Sequence, residues 1–211
     1  PLLDIRLPSG TGMTFDEQMV GFYFAGFTAP VTRLGDRGIE ARVSDSQNPT
    51  ESVACSFHVH MTIRDLSEFF ASPEHEAQLS GSIHFGNFEG QGEATFVIDP
   101  LQSYFNYLRV NPATGQTEMV YHLYFRDSKN QEYLLLAHKY LQRDATGQVA
   151  GIREILHDYT TAYCHLTELA SNKQLGTALL KFKTFEDLQA VGSFANFIAS
   201  FAVTGTDDPL I

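Results

Sequence analysis

Apolar and polar residues alternate along most of this chain, and the alternation predicts antiparallel strands. The clearest case is residues 117–141, where two β-rich runs flank a turn at residues 127–130. A turn centred on the middle two of these residues pairs Tyr121 with Leu136 across the hairpin. One apolar face then carries Met119, Tyr121, Leu123, Phe125, Leu134, Leu136 and His138. We expect this face to form the wall of a core or a cavity.

Similar runs continue on both sides of the hairpin. Residues 13–27 predict a first strand, and residues 52–61 predict a second strand with His58 and His60 on its polar face. One face of the first strand carries Phe15, Glu17, Met19, Gly21, Tyr23 and Ala25. The apolar face of the second carries Val53, Cys55, Phe57, Val59 and Met61. Further strands are predicted at residues 79–88, 93–98, 149–156, 159–169 and 179–183.

Between the strands, the sequence predicts one long loop and a few short helices. Residues 28–51 hold two prolines and two glycines without sustained periodicity, which is typical of a loop. A helix is expected at residues 67–77, with Thr62 as its N-cap. The strand and helix of residues 53–77 have an echo at residues 179–200, which is interpreted either as a pseudo-repeat or as chance similarity.

These elements together predict a mainly β protein of a single domain spanning residues 1–211. About eight to ten strands with two or three short helices favour an antiparallel β-barrel or a strongly bent sheet of the lipocalin or calycin type, because closure removes exposed sheet edges. A barrel of about eight strands can hold one small apolar ligand.

Composition and charge narrow the possible partners. The chain has 17 Phe and 9 Tyr but no Trp, which suits a large interior or an apolar pocket lined by rings. Its 14 Lys and Arg against 25 Asp and Glu give a formal net charge of −11. An acidic surface repels phosphate groups, so we expect neither nucleic acid nor an anionic membrane surface as a partner.

The cysteines and the ends of the chain predict a compartment. Cys55 and Cys164 each lie in an alternating apolar run, where a buried thiol is the usual state. Two cysteines do not make a secreted disulfide framework. The first residues do not resemble a signal peptide, and no apolar stretch is long enough for membrane insertion. We therefore expect a cytoplasmic protein.

Three segments carry a resemblance to a known family. They are Y-H-L-Y-F-R-D at residues 121–127 with Y-L-L-L-A-H-K-Y-L-Q-R-D at 133–144, then H-D-Y-T-T-A-Y-C-H-L at 157–166, and upstream M-T-I-R-D-L-S-E-F-F-A-S-P-E-H-E-A-Q-L-S-G-S-I at 61–83. They resemble the β-rich accessory region associated with some bacterial glucose-methanol-choline oxidoreductases of the cholesterol oxidase type. The residues that match the family's lysine and its aspartate–threonine run are Lys139, Asp158, Thr160, Thr161 and Tyr163.

The resemblance implies an association with lipid, steroid or secondary metabolism, and an oxidoreductase partner. It does not imply oxidase activity, and a homodimer is the alternative assembly. The chain departs from the family at Tyr159 and Ala162 and lacks its tryptophan. Gly90 and Gly92 do not form a flavin fingerprint, since the third glycine and the strand–turn–helix context are missing. No cofactor is therefore predicted.

Asp158 and Lys139 are the candidate catalytic residues. A carboxylate buried among aromatic rings has a raised pKa and can transfer protons, with Thr160 and Thr161 forming a polar line beside it. The alternative, which we favour, is a salt bridge that ties neighbouring strands together. His122 and His138 are expected on opposite faces of the hairpin, so they are not predicted to act as a pair.

His58 and His60 are the candidate metal ligands that the sequence offers, since residues two apart on a strand share a face. The glutamate that a cupin places after such a pair is missing, so ordinary strand histidines are favoured and no metal is assigned. The predicted ligand-binding residues are Phe57, Phe85, Phe96, Tyr121, Phe125, His138 and Tyr163.

Three functions remain open at this point. The first is a barrel that binds a small apolar ligand such as a lipid or sterol. The second is a cofactor-free cyclase or isomerase that acts on a hydrophobic substrate inside the barrel. The third is a protein-interaction domain with a filled core.

Overall fold

The computed structural model of the chain describes residues 9–45, 52–141, 160–182 and 202–205. Ten strands and two helices lie in these ranges, in the order β1 (Gly12–Ala25), α1 (Arg33–Asp45), β2 (Val53–Ile63), α2 (Leu66–Ala71), β3 (Glu76–Phe85), β4 (Ala94–Val97), β5 (Tyr104–Val110), β6 (Thr117–Arg126), β7 (Glu132–Leu141), β8 (Thr161–Glu168), β9 (Lys173–Phe182) and β10 (Ala202–Thr204).

Eight of these strands close into an antiparallel barrel. They follow each other as β1, β2, β3, β5, β6, β7, β8 and β9, and β9 pairs back with β1 from Met19–Phe182 to Ala25–Gly176. The short β4 adds to β3, and β10 adds to the start of β1. This confirms the prediction of a mainly β protein built as an antiparallel barrel. The predicted strand at residues 149–156 lies outside the described residues, and so does the part of the 179–200 echo that follows Phe182.

Alternation along the strands fills the barrel interior as predicted for β1 and β2. Residues at every second position point inward, and the face of β1 that carries Glu17 and Tyr23 is the inner one. The largest inward side chains are almost fully buried: Met19, Tyr23, Phe57, Met61, Leu79, Ile83, Phe85, Tyr121 and Phe125. Cys55 and Cys164 are buried free thiols, and burial raises the pKa of both.

The central hairpin has a longer turn than predicted. Arg126 pairs with Glu132, so five residues connect the strands, and Asn130 adopts a left-handed conformation at φ 63°. Asn tolerates this conformation better than most residues. The extra residue changes the register by one position, and Tyr121 pairs with Ala137 instead of Leu136.

This register corrects the predicted apolar face. A shift of one residue moves every side chain of a strand to the other face of the sheet. Leu134, Leu136 and His138 therefore lie on the outer face of the barrel, while Leu135, Ala137 and Lys139 share the inner face with Tyr121. The predicted separation of His122 and His138 is wrong for the same reason, because both lie on the outer face.

Helix α1 occupies a segment that was predicted to be a loop. It packs on the outer wall of the barrel, where Ile39 is fully buried beside Ala29 and Leu179. Its first turn requires a glycine, since a Cβ at Gly35 would lie 1.9 Å from the carbonyl oxygen of Pro30. The glycines and the few apolar residues of α1 explain why the helical periodicity is hard to see in the sequence.

Helix α2 is shorter than predicted and begins at a different cap. Asp65, and not Thr62, is its N-cap, and the Asp65 carboxylate accepts from the backbone N–H groups of Ser67 and Glu68 at 2.8 and 3.1 Å. The helix stops at Ser72, whose extended backbone precedes a proline. Among the described helices, none is long and apolar enough to cross a bilayer.

Candidate functional site

One end of the barrel, which we call the aromatic end, is closed by packed rings. Phe88 follows β3 and folds over this end, with its ring 5.2 Å from Phe85, 4.7 Å from Phe96 and 5.2 Å from Tyr133. The ring of Phe125 completes the cluster at 4.8 Å from Phe96. Edge-to-face and tilted ring pairs at these distances are typical of a well-packed aromatic core. This end of the interior is therefore filled by the chain itself.

The opposite end carries a buried polar group, which we call the interior triad: Glu17, Tyr121 and Lys139. Lys139 Nζ donates to Glu17 Oε1 at 2.6 Å, and the Tyr121 hydroxyl donates to Glu17 Oε2 at 2.8 Å. The Lys139 ammonium also lies 5.1 Å from the centre of the Tyr121 ring. All three side chains are buried, so an ion pair with a hydroxyl partner lies inside the barrel among apolar side chains.

Strand ends explain why the triad forms here. Glu17 precedes the point at which β1 begins to pair with β9, while Lys139 is near the end of β7 and Tyr121 lies on the neighbouring β6. Glu17 is distant in sequence from the other two residues, with a separation of 104 from Tyr121 and 122 from Lys139. Inward alternation places all three in the lumen, and barrel closure brings β1 opposite β6 and β7.

The surroundings of Tyr121 keep its hydroxyl protonated. Burial, followed by the negative charge of Glu17 and the hydrogen bond to it, raises the pKa of Tyr121 well above its ordinary value. Tyr121 therefore remains a hydrogen-bond donor across the physiological range. Its ring packs on Phe105 at 4.5 Å and on Phe57 at 5.4 Å. This packing fixes the direction in which the hydroxyl points.

The rim beside the triad has an irregular backbone. The pairing of β5 with β6 shifts between Asn106 and Arg109, and Leu108 within this bulge has φ 52°. A positive φ is uncommon for a residue of this kind. Bulges redirect side chains and are frequent at barrel rims and binding sites. The two apolar side chains within this bulge, Tyr107 and Leu108, are only partly buried.

The predicted site residues divide between the two faces of the barrel. Five predicted ligand-binding aromatics, Phe57, Phe85, Phe96, Tyr121 and Phe125, belong to the interior core. His138 and Tyr163 lie on the outer face and are separated from those five by the barrel wall. The binding role of all seven residues stays a prediction.

The predicted catalytic pair is only partly described. Asp158 lies outside the described residues, so its pairing with Lys139 stays a prediction. The described partner of Lys139 is Glu17, which sequence reasoning placed on the correct face of β1 without a role. Thr161 is buried on the outer face of β8 and belongs to neither end of the lumen.

A second polar group lies between α1 and the outer wall, and we call it the outer-wall cluster: Asp36, His138 and His165. His138 Nε2 lies 2.9 Å from Asp36 Oδ1, and the two imidazole rings are stacked with centres 5.3 Å apart. All three residues are buried. Burial, and then the neighbouring His138, lower the pKa of His165 to about 4, so this imidazole is neutral at physiological pH. Sequence reasoning missed Asp36, because its segment was predicted to be a loop.

The histidines singled out in the sequence lie on a third, exposed site. His60 Nδ1 is 3.0 Å from Asp16 Oδ1, and His58 Nε2 is 4.0 Å from the same oxygen. The side chain of His58 is 60% exposed, and that of His60 is 45% exposed. These values fit ordinary strand histidines beside a carboxylate, which is the interpretation favoured from the sequence.

A surface cleft of about 400 Å³ lies beside α2. Its walls include Arg64, Asp65, Gln78 and Ser103, and polar groups dominate them. The Arg64 guanidinium donates to the Gln78 side chain at 3.0 Å, and the Asp65 carboxylate caps α2. These polar groups therefore already have hydrogen-bond partners within the protein. The interior triad is therefore the stronger candidate site. Comparison with protein-family models, with curated proteins and with solved structures finds no match to this chain.

Proposed function

We propose that the barrel binds a small, mostly apolar molecule through the end of its interior that carries Glu17, Tyr121 and Lys139. The ligand would place an oxygen atom, from a carboxylate, carbonyl or hydroxyl group, against the Lys139 ammonium. A closed barrel of eight strands is compatible with this role. The observation that carries the proposal is the buried Lys–Glu–Tyr group inside an apolar interior.

The hydrogen-bonding capacity of the triad supports this ligand chemistry. An ammonium group has three donors, and among the described residues Lys139 uses one of them, toward Glu17. Both carboxylate oxygens of Glu17 accept a bond inside the triad. The remaining donors of Lys139 favour a ligand that supplies an acceptor. Apolar neighbours such as Phe105 and Met119 favour a hydrocarbon body.

The energetics also argue for a functional role. An apolar replacement of a buried ion pair is often neutral or stabilising, so such pairs add little to stability by themselves. Packed rings close the aromatic end, so a ligand would have to reach the lumen from the triad end. The bulge and the strained Leu108 backbone lie at the rim of this same end.

Two fluorescent probes test the proposal. Dansyl-labelled undecanoic acid offers a carboxylate on an apolar chain, and dehydroergosterol offers a hydroxyl group on a sterol. We expect at least one of them to bind the wild-type chain with one site. The double variant Glu17→Leu/Lys139→Met removes the charges together and should keep the fold. We expect it to bind the preferred probe about tenfold or more weakly, because a hydrogen bond to a charged donor is lost.

The matched control is Lys181→Met, which removes an exposed lysine from the outer face of β9. This variant should bind as the wild type does. Equal affinity in the double variant and the wild type would contradict a role of the triad in binding. A wild-type chain that binds neither probe would favour the third function, an interaction domain with a filled core.

A second function, proton transfer by a cofactor-free cyclase or isomerase, is favoured by one feature of the same site. Glu17, Tyr121 and Lys139 are joined by bonds of 2.6 and 2.8 Å, which is the geometry through which protons move. With a bound ligand identified, Tyr121→Phe separates the two functions. Retained binding with a turnover about 100-fold or more lower would support catalysis. Unchanged conversion, or no conversion by the wild type, would leave binding as the function.

The class of ligand rests on the resemblance. The segments similar to an oxidoreductase accessory region support a lipid or sterol as the natural ligand, and an oxidoreductase as the natural partner, in the cytoplasm of a bacterium. A pull-down from a bacterial lysate against the wild-type chain and against the double variant would test the partner. Recovery of a flavin oxidoreductase with both chains is the expected result, since the proposed contact is on the outside of the barrel.

A further inference from the structure

The outer-wall cluster has the composition of a transition-metal site. Asp36, His138 and His165 each offer one ligand atom, and these atoms all lie within 4.8 Å of one another. They come from α1, β7 and β8, so the fold brings them together from three distant segments. We propose that this cluster binds one divalent transition-metal ion, with zinc as the preferred ion, through one carboxylate oxygen and two imidazole nitrogens.

Unpaired polar atoms are the second observation that points to a ligand. Within the described ranges, Asp36 Oδ2, His138 Nδ1 and His165 Nε2 are buried and have no hydrogen-bond partner. The hydroxyl of Thr177, which pairs with His165 across the strands, is also buried without one. Native proteins rarely leave such atoms unsatisfied. Four of them around one group indicate a site built for an additional partner.

The chemistry of the residues selects the ion. Two imidazoles and one carboxylate are a common ligand set for Zn²⁺ and its neighbours, whereas Mg²⁺ and Ca²⁺ prefer oxygen ligands alone. Neutral imidazole is the form that binds metals, and the low pKa of His165, about 4, keeps this ring neutral. The ion would replace the proton that His138 Nε2 shares with Asp36 Oδ1.

A small adjustment would complete the geometry. Tetrahedral zinc with bonds of about 2.0–2.1 Å holds its ligand atoms roughly 3.4 Å apart. His138 Nε2 and Asp36 Oδ1, now 2.9 Å apart, would separate slightly to admit the ion. All the ligand atoms already lie within 4.8 Å of one another, so the widest pair would close by about 1.4 Å at most.

A partner for the second nitrogen of one imidazole is already in place. Metal-bound histidines usually donate their second ring N–H to a carbonyl or carboxylate. The Gln174 amide nitrogen lies 2.9 Å from His165 Nδ1 and donates to the Ala29 carbonyl at 3.1 Å, so Nδ1 accepts from Gln174 and the neutral ring carries its proton on Nε2. Binding of the ion at Nε2 would move this proton to Nδ1, within reach of the Ala29 carbonyl.

The test is a titration of the tag-free, chelator-treated chain with Zn²⁺ by calorimetry and with Co²⁺ by visible absorption. We expect one ion per chain and Co²⁺ bands of tetrahedral intensity. Asp36→Asn and His165→Gln remove a direct ligand, so each should weaken binding by more than the roughly 100-fold that loss of an outer partner costs. Far-UV circular dichroism of each variant establishes that it is folded.

The matched control is His58→Gln/His60→Gln, which removes the two exposed histidines that lie beside another aspartate, Asp16. Affinity in this double variant should stay within about twofold of the wild type. Loss of zinc binding in this control would overturn the proposal, as would binding that survives in Asp36→Asn or no saturable binding by the wild type.

A second readout on the unsubstituted chain covers the case in which a cluster variant does not fold. Long-range proton–nitrogen spectra of the histidine rings, with and without zinc, should show two rings that change from a protonated to a metal-bound nitrogen. Both signals should still change in the His58→Gln/His60→Gln variant, which excludes the exposed pair as their source. Ring signals that do not move at saturating zinc would contradict the site.

Discussion

Replacement of Lys139 with methionine removes an ammonium group but keeps a side chain of similar length inside the barrel. Glu17 is only 7% exposed and would keep a single partner, the Tyr121 hydroxyl. Removal of one member of a buried ion pair typically costs about 3–5 kcal/mol, because the other charge remains buried. Glu17→Leu leaves the Lys139 charge buried without its partner, so we expect a loss of at least similar size.

The double variant Glu17→Leu/Lys139→Met behaves differently, since no charge remains buried. Its main cost is the Tyr121 hydroxyl, which loses its acceptor, and this amounts to about 1–3 kcal/mol. The loss in the double variant should therefore be smaller than the sum of the two single losses by at least about 3 kcal/mol. Addition of Tyr121→Phe removes the last unpaired group and should restore stability to near that of the wild type.

Urea unfolding followed by circular dichroism measures these free energies. For a chain of this size, each kcal/mol corresponds to about 2–4 °C in melting temperature, so the single variants should melt roughly 6–20 °C lower. Two outcomes would refute the reasoning. One is a pair of single variants that both stay within about 0.5 kcal/mol of the wild type. The other is a pair of losses that add in the double variant within the same margin, because coupled residues do not behave additively.

Two further predictions concern the register of the hairpin and the cap of α2. Leu135→Ala should lower the free energy of unfolding by about 2–5 kcal/mol, because this side chain is fully buried inside the barrel. Leu136 lies half-buried on the outer face, so Leu136→Ala should cost clearly less. Equal losses of the two variants in urea unfolding would reject the register. Backbone N–H groups, with that of Gly10 first and that of Glu68 next, lower the pKa of Asp65 below its ordinary value of 3.8. Asp65 therefore stabilises the folded chain above that pH and stops doing so as the pH falls through its folded-state pKa. Asp65→Ala should lower the urea midpoint near neutral pH and reduce its fall in acid; parallel pH profiles of variant and wild type would count against this cap.

The barrel could be predicted from the sequence because its interior follows a period of two. The alternation grouped the residues on each face of β1 and β2 correctly, and the structure places the face that carries Glu17 inward. The register of the hairpin could not be predicted in the same way. It depends on one extra turn residue and on the left-handed conformation of Asn130, and several turn lengths fit the same pattern of apolar residues.

The candidate sites were harder to predict because their residues meet only after the barrel closes. Lys139 was selected from the sequence, but its partner Glu17 lies 122 residues away and across the lumen. Asp36 belongs to a helix that the pattern of apolar residues does not reveal. For His165, the alternation predicted only that its side chain and that of Cys164 point to opposite faces of the strand. Contacts between distant strand ends depend on topology, which local periodicity does not encode.

Methionine methyl groups offer a direct view of the proposed binding site. The chain has four methionines, and all of them lie in barrel strands: Met13, Met19, Met61 and Met119. Met119 pairs with Lys139 across the strands and is two residues from Tyr121 on the same inner face. Its methyl group therefore reports on the surroundings of the interior triad.

The most direct measurement is a carbon–proton spectrum of the methyl-labelled chain during titration with the probe that binds. We expect the Met119 signal to shift in step with the fluorescence of the bound probe. The same titration of Glu17→Leu/Lys139→Met should leave this signal in place at equal probe concentration. A wild-type Met119 signal that does not move when the probe is saturated would place the ligand outside the barrel and contradict the proposed function.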